Sequence, residues 1–186
     1  EWVFTILGYI LPWFFVFCDL ATKGVDKRVL NVFCMFGMMT GKRVEISGDL
    51  AYDSKSLCES SVRGDKTDIN ALATKAEHST AVMVWNYHGL DVLDDGSPVV
   101  VTIKNIPAKK VKLYHYRIDS EHSNSYEAWK KMGSPQNPTP EQISQLEESG
   151  KLEMLLAPKS VKTKNGELKL EMQLPRQAVS LIRLSY

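Results

Sequence analysis

Asn165-Gly166-Glu167-Leu168-Lys169-Leu170-Glu171-Met172-Gln173-Leu174 carries the signal that decides the fold class of this chain. Asn-Gly is the pair that suits a two-residue hairpin turn, because both central residues of that turn need positive φ. Leu168, Leu170, Met172 and Leu174 then alternate with Glu167, Lys169, Glu171 and Gln173. That is the period of a strand with one buried and one wet face. Val179 to Leu184 closes the chain as another strand. Upstream, Val111 to Ile118 and Val99 to Ile103 read as strands, the latter entered from the turn Asp94-Asp95-Gly96-Ser97-Pro98. Ala81 to Tyr87 is apolar on both faces before it alternates, as a central strand is. The pattern predicts a mainly β protein, an antiparallel β-sandwich with a short helical insertion.

The insertion has good boundaries. Asn124 at an N-cap places Glu127 at the third helical position, and Gly133 follows the last turn. Thr139-Pro140-Glu141-Gln142 combines a capping hydroxyl, a proline at the first helical position and a Gln that returns the bond. Gly150 ends that second helix.

The chain has 186 residues, 23 basic and 22 acidic, a net charge of +1, 44% hydrophobic and 24% charged residues. These values describe a globular protein and exclude disorder and collagen-like repeats. At about 150 residues per domain, one domain with a short appendage is expected. The near-neutral balance offers no basic footprint for nucleic acid and no polybasic surface for anionic membranes. Cys18, Cys34 and Cys58 form neither a metal-binding pair nor an even disulfide framework. No metal or cofactor is expected. The reduced-looking cysteine usage points to a bacterial cytoplasm or periplasm.

Trp2 to Cys18 contains no charged residue. It only just reaches the length of the shortest spanning helix, about 17 residues, and Gly8 and Pro12 interrupt it. A buried strand and loop is therefore favoured over a membrane helix, and no basic region precedes the run as a signal peptide requires. Asp26 is positioned to cap a following helix whose Val29, Leu30, Phe33 and Phe36 form a wide apolar face. An apolar strand followed by such a helix is a βα unit, which cannot bury both of its surfaces alone.

No nucleophile elbow, zinc-protease motif, phosphate loop or strand-end Asn-Glu pair is present. The densest polar cluster runs from His115 to Asn124. His115, Asp119 and His122 are candidate metal ligands there, but their spacing matches no ligand pattern. The favoured reading pairs Arg117 with Asp119 to fix a strand-to-helix corner. Trp85, Tyr87, Tyr114, Tyr116, Tyr126 and Trp129 are candidates for a sugar-stacking platform, weighed against core packing. Tyr126 and Trp129, three apart on a helix, are expected to bury against the sheet.

The stretch Trp85-Asn86-Tyr87-His88-Gly89-Leu90-Asp91-Val92, and then HYRIDSEHSNSYEAWKKMGSPQNPTPEQISQLEESGKL at 115–152, resembles glycoside hydrolase family 39, the β-xylosidase family. DLATKGVDKRVLNVFCMFGMMTGKRV at 19–44 resembles the last strand–helix unit of the family's barrel, with Trp2-Val3-Phe4 in place of the Trp-Thr-Phe that opens that strand. The match is strongest at Tyr116 to Pro140. The resemblance implies a (β/α)8 barrel with an accessory β-sandwich, and catalysis with retention by two glutamates. Both glutamates fall upstream of Glu1 in such an alignment, so the chain is expected to be a catalytically incomplete C-terminal piece. It would comprise a barrel remnant at 1–42 and the sandwich at 43–186.

Other parts of the family's active-site wall differ as well. Thr5 to Leu11 lacks the acid of the family's sugar-binding loop, and Cys18 and Cys34 stand where relatives have arginines. Fewer polar groups then remain to hold a sugar hydroxyl. Trp2 is carried over as sugar-facing, beside Trp85, Tyr87, Tyr114 and Tyr116 as weaker candidates. The implied partner is xylan or a xylo-oligosaccharide. The alternative is a non-catalytic carbohydrate-binding module, and self-association through residues 2–39 is the structural expectation.

Overall fold

The computed structural model describes residues 20–22, 24–63, 66–90 and 96–186. The apolar run Trp2 to Cys18, and with it the strand of the expected βα unit, lies outside the described residues, as do Asp94 and Asp95 of the turn before Val99. A small hairpin, β1 (Ala21–Thr22) and β2 (Val25–Asp26), leads into helix α1 (Arg28–Met38). Strand β3 (Lys42–Val44), helix α2 (Ser54–Ser60), β4 (Asp68–Lys75), β5 (Ser79–Tyr87), β6 (Ser97–Ile103) and β7 (Lys110–Ile118) follow. Helices α3 (Ser125–Lys131) and α4 (Pro140–Gly150) form the insertion before β8 (Glu153–Lys162), β9 (Leu168–Leu174) and β10 (Val179–Ser185).

The expected sandwich is present, but its layers are unequal. One sheet has six strands in the order β3-β4-β5-β10-β7-β8, and the other is the pair β6-β9. Every pairing is antiparallel. Asn165 and Gly166 both adopt positive φ, 52° and 76°, and Lys164 and Glu167 exchange two 2.9 Å backbone bonds around them. This tight turn carries the chain from the edge strand of the large sheet into the small one. Leu168 and Leu174 of β9 then join Val99 and Ile103 of β6 against Val82, Val84, Ile182 and Leu184 of the large sheet.

Besides the short β1, β2 and β3, two longer strands escape the periodicity signal. In β4, small alanines and Asn70 blunt the alternation. In β8 nearly every residue is exposed, Pro158 interrupts the run, and the register against β7 shifts twice. An edge strand tolerates such a proline because one of its sides needs no partner. Helix α2 also went unsignalled, although Asp53 caps it by accepting from the N–H groups of Lys55 and Ser56.

Helix α1 departs from expectation in its cap and its face. Asp26 pairs with Ala21 within the hairpin, so Lys27 takes the N-cap position without a side-chain cap bond. The side buried against the sandwich carries Asn31 and Met35. Met35 packs with Ala81, Met83, Ile118 and Leu181 on the outer face of the large sheet. Asn31 Nδ2 donates to the carbonyls of Ser123 (3.2 Å) and Gly150 (2.7 Å). Three of the four apolar residues that the periodicity selected point away: Val29, Phe33 and Phe36 are 46%, 57% and 44% exposed, while Leu30 is half-buried.

The insertion helices start as expected. Asn124 accepts from the Glu127 N–H, and Thr139 and Gln142 close a capping box. Tyr126 and Trp129 do not bury against the sheet. They stack at 5.8 Å and pack with Leu146, Ile143 and Val25 in a separate small core, because α4 and the β1–β2 hairpin lie closer than the sheet does. Gly150 is the last helical residue and is there for room rather than for a left-handed cap. A Cβ at this position would come within 2.8 Å of the Asp26 carbonyl oxygen.

Asn31 therefore ties α1 to both ends of the insertion. Asn31→Ala removes two buried bonds and strands two carbonyls, so a loss of about 2–3 kcal/mol in urea unfolding is expected. An unchanged midpoint would show that α1 is not clamped through this residue.

Candidate functional site

Period-two geometry sorts the aromatic candidates. Leu113, Val82, Val84 and Ile182 face the small sheet, so the alternate positions face outward. Register places Trp85 beside Asn70 and Val179, Tyr87 beside Asp68, Tyr116 beside Leu181, and Tyr114 beside Arg183. All four candidates thus share the outer face of the large sheet. They do not form one platform. Tyr116 packs beneath α1, in the cluster with Met35 and Leu181. Tyr114 lies under two cations, Lys112 Nζ at 5.4 Å and the Arg183 guanidinium at 5.8 Å from its centroid. Trp2 lies outside the described residues.

Trp85 and Tyr87 come together. With Leu57, Ser61, Asp68 and Gln177 they line an open hollow of about 480 Å³. Tyr87 is 42% exposed and Trp85 half-buried. Asp68 is buried, and its Oδ1 accepts from the Tyr52 N–H at 2.8 Å. Neighbouring Asn86 donates to the Leu174 carbonyl, while its buried Oδ1 has no partner among the described residues. Two aromatic rings beside hydroxyl, amide and carboxylate groups make a surface on which a sugar ring can stack and be hydrogen-bonded.

The polar run from His115 to Asn124 forms the corner that the Arg117–Asp119 pairing anticipates. Arg117 Nη1 and Asp119 Oδ2 lie 3.6 Å apart, both nearly inaccessible, at 4% and 7%. Asp119 Oδ1 accepts from the N–H groups of Glu121 and His122 and from the His122 ring. Burial pushes the Asp119 carboxyl upward, but these bonds and the nearby imidazole outweigh it and hold it below the usual carboxylate value. Ser123 Oγ donates to the Arg117 carbonyl and accepts from the Glu153 N–H, so one hydroxyl joins both ends of the insertion. Among the described residues no group of three His, Cys, Asp or Glu side chains converges as a metal set.

His115 faces the other way, into the sandwich. Its Nε2 lies 3.1 Å from Ser180 Oγ, and with Leu156, Lys159, Leu170 and Met172 it lines a seam of about 170 Å³ where the two sheets splay. Burial first, then the charges of Arg117 and Lys159, depress its pKa to about 4. The strand register to β10 creates this pair, and no local motif signals it.

The sequence profile described as Glycosyl hydrolases family 39 matches residues 10–166. The chain belongs to that family. Two solved structures show the same fold. The GH39 enzyme from Xanthomonas axonopodis pv. citri superposes with a TM-score of 0.71 at 15% identity, over 90% of this chain and 32% of that one. A monomeric beta-xylosidase from Caulobacter crescentus CB15 gives 0.71 at 17% identity, over 90% and 32%. The family 39 chain therefore spans about a third of the length of these neighbours. No curated protein matches it.

The half-buried imidazole gives this family 39 sandwich a pH dependence. His115 takes its proton in the unfolded chain near 6.5 and in the folded chain near 4. Below 6.5 the unfolded state binds more protons, so stability falls as pH drops through that window, by at most about 3 kcal/mol. Asp119, also depressed, adds its loss only below its ordinary value of 3.8. His115→Gln is expected to flatten the stability profile between pH 6.5 and 4 in urea titrations. A slope identical to that of the parent would contradict this account.

Proposed function

We propose that this chain is the C-terminal part of a family 39 glycoside hydrolase acting on β-xylosides of xylan or xylo-oligosaccharides, and that alone it is inert towards the glycosidic bond. Residues 1–42 would supply the last strand–helix unit of a barrel and 43–186 the accessory sandwich. One observation carries the reading: α1 has two unlike faces. Its Asn31 and Met35 side is built into the sandwich, whereas Val29, Phe33 and Phe36 offer an apolar stripe that no described residue buries. A helix made that way is suited to sit between two bodies, as a last barrel helix does.

The acids support the second half of the proposal. Among the described residues the buried carboxylates are Asp68 and Asp119. Asp68 begins β4, and Asp119 follows β7, three positions away in the sheet order. Three strand spacings are about 14 Å. Glycosidase carboxyls lie about 5–9.5 Å apart across the sugar. Both acids are, moreover, engaged by backbone N–H groups.

A second reading, a non-catalytic module for xylan, is favoured specifically by the hollow that pairs Trp85 with Tyr87. Fold alone does not supply it.

Three measurements separate these readings. The pure chain is expected to release no nitrophenol from 4-nitrophenyl β-xyloside above a buffer blank, and clear turnover would overturn the incomplete-enzyme reading. Affinity electrophoresis in neutral xylan gels addresses the module: retardation abolished by Trp85→Ala and Tyr87→Ala supports it, and unretarded migration of the parent removes it. Light scattering of the parent is expected to show self-association that Phe33→Ser with Phe36→Ser reduces. A monodisperse monomer would mean that the stripe is covered within its own chain.

A further inference from the structure

The outer face of the large sheet ends in a cluster of cations that the fold itself does not need. On β7, Lys110 and Lys112 are two apart and so project from the same face, and both are exposed. Lys162 of β8 is the direct cross-strand partner of Lys110, and Ser160 is the partner of Lys112. On the other side, β10 sets Arg183 against Tyr114 and Ser185 against Lys112. Arg183, Lys112, Lys110 and Lys162 thus occupy three successive outward rows, about 13 Å along the strands. Tyr114 and the two serines lie among them, and none of these register positions holds a carboxylate.

The pairing of Lys110 with Lys162 shows that the arrangement is unsatisfied. Like charges directly opposite one another destabilise a strand pair, yet Lys110 faces Lys162. Among the described residues neither of them, nor Lys112, has a carboxylate within ion-pairing distance. That cost falls if an anion lies along the row, its oxygens accepting from the ammonium groups of Lys110 and Lys162 and separating the two charges.

We infer that this face binds a carboxylate-bearing polysaccharide, such as a uronate-substituted xylan. The spread of three rows suits a chain with repeated charges rather than one small anion. The hydroxyls of Ser160 and Ser185, set between the cations, suit the hydroxyls of a sugar chain. The choice of a glycan rests on the chain's membership of a glycoside hydrolase family. The residues are distinct from those of the Trp85–Tyr87 hollow, so the two sites succeed or fail separately.

The test is affinity electrophoresis of the whole chain in glucuronoxylan, and in the same polymer after its carboxylates are reduced to alcohols. Retardation by glucuronoxylan is expected to weaken about tenfold in Kd for Lys110→Gln/Lys112→Gln/Lys162→Gln, and to weaken with added salt. A charge-matched control, Lys42→Gln/Lys55→Gln/Lys131→Gln, is expected to change it less than twofold. Relief of the Lys110–Lys162 repulsion should leave the urea midpoint equal or higher, and the double variant Lys112→Gln/Lys162→Gln serves as a second probe. Carboxyl-reduced polymer should retard parent and triple variant alike, whatever the hollow contributes. Equal retardation of parent and triple variant by glucuronoxylan would overturn the inference. So would equal retardation of the parent by the intact and reduced polymers, or tighter binding of double-stranded DNA or phosphatidylserine vesicles.

Discussion

Strand β10 is the last element of the chain and the centre of its large sheet, hydrogen-bonded along its length to β5 on one side and β7 on the other. Its alternate residues serve two cores. Ile182 and Leu184 fill the space between the sheets, while Leu181 lies under α1, and all three are fully buried. Neither layer contact can form before the C-terminus arrives, so the fold is dominated by pairings distant in sequence, the kind that cost loop-closure entropy first. The same strand sets both faces: it places Arg183 beside Tyr114 on the outside and brings Ser180 to 3.1 Å from His115 on the inside. What the outer face and the seam can do follows from where β10 sits.

The corner after β7 transmits that order to the helices. A buried ion pair contributes little unless its remaining valences are filled, because desolvation cancels most of the attraction. Here they are largely filled. Arg117 reaches the Gln173 carbonyl of the small sheet, and Asp119 takes backbone and imidazole donors. The pair therefore fixes geometry more than it adds stability: it joins the two sheets and sets the start of the insertion. Asn31 then reads that geometry from the other side, since Ser123 and Gly150, the carbonyls it binds, bracket the insertion.

Much of this was legible from local chemistry. Asn165-Gly166 and the strand after it, the Asn124 cap and the Thr139 capping box are each set by neighbours within four residues, and each formed as read. What failed were the inferences about which body lies next to α1 and next to the insertion helices. The periodicity of α1 identified an apolar stripe correctly but could not say that a narrower side, led by Asn31 and Met35, faces the sandwich. Tyr126 and Trp129 share a face as expected, yet their partners are Leu146 and Val25. Edge strand β8 carried no alternation to find. The aromatic candidates shared a face for the same reason that they failed to share a site: strand parity is local, whereas distance across β10 is not.

Charge shows the same division between sum and placement. A net charge of +1 excludes a long-range basic field, but counterions screen such a field beyond about 8–10 Å in any case. Binding by exposed charges is decided within that radius. Lys110, Lys112, Lys162 and Arg183 are drawn from three strands that lie up to 73 positions apart in sequence, so no window of the sequence contains them together. The register does, and on the large sheet the acids sit elsewhere: Asp68 starts β4 at the far end of that face and Glu153 starts β8. A nearly neutral chain can therefore present a cationic row of several residues, provided that its topology gathers the positive charges and disperses the negative ones, as the antiparallel meeting of β10, β7 and β8 does.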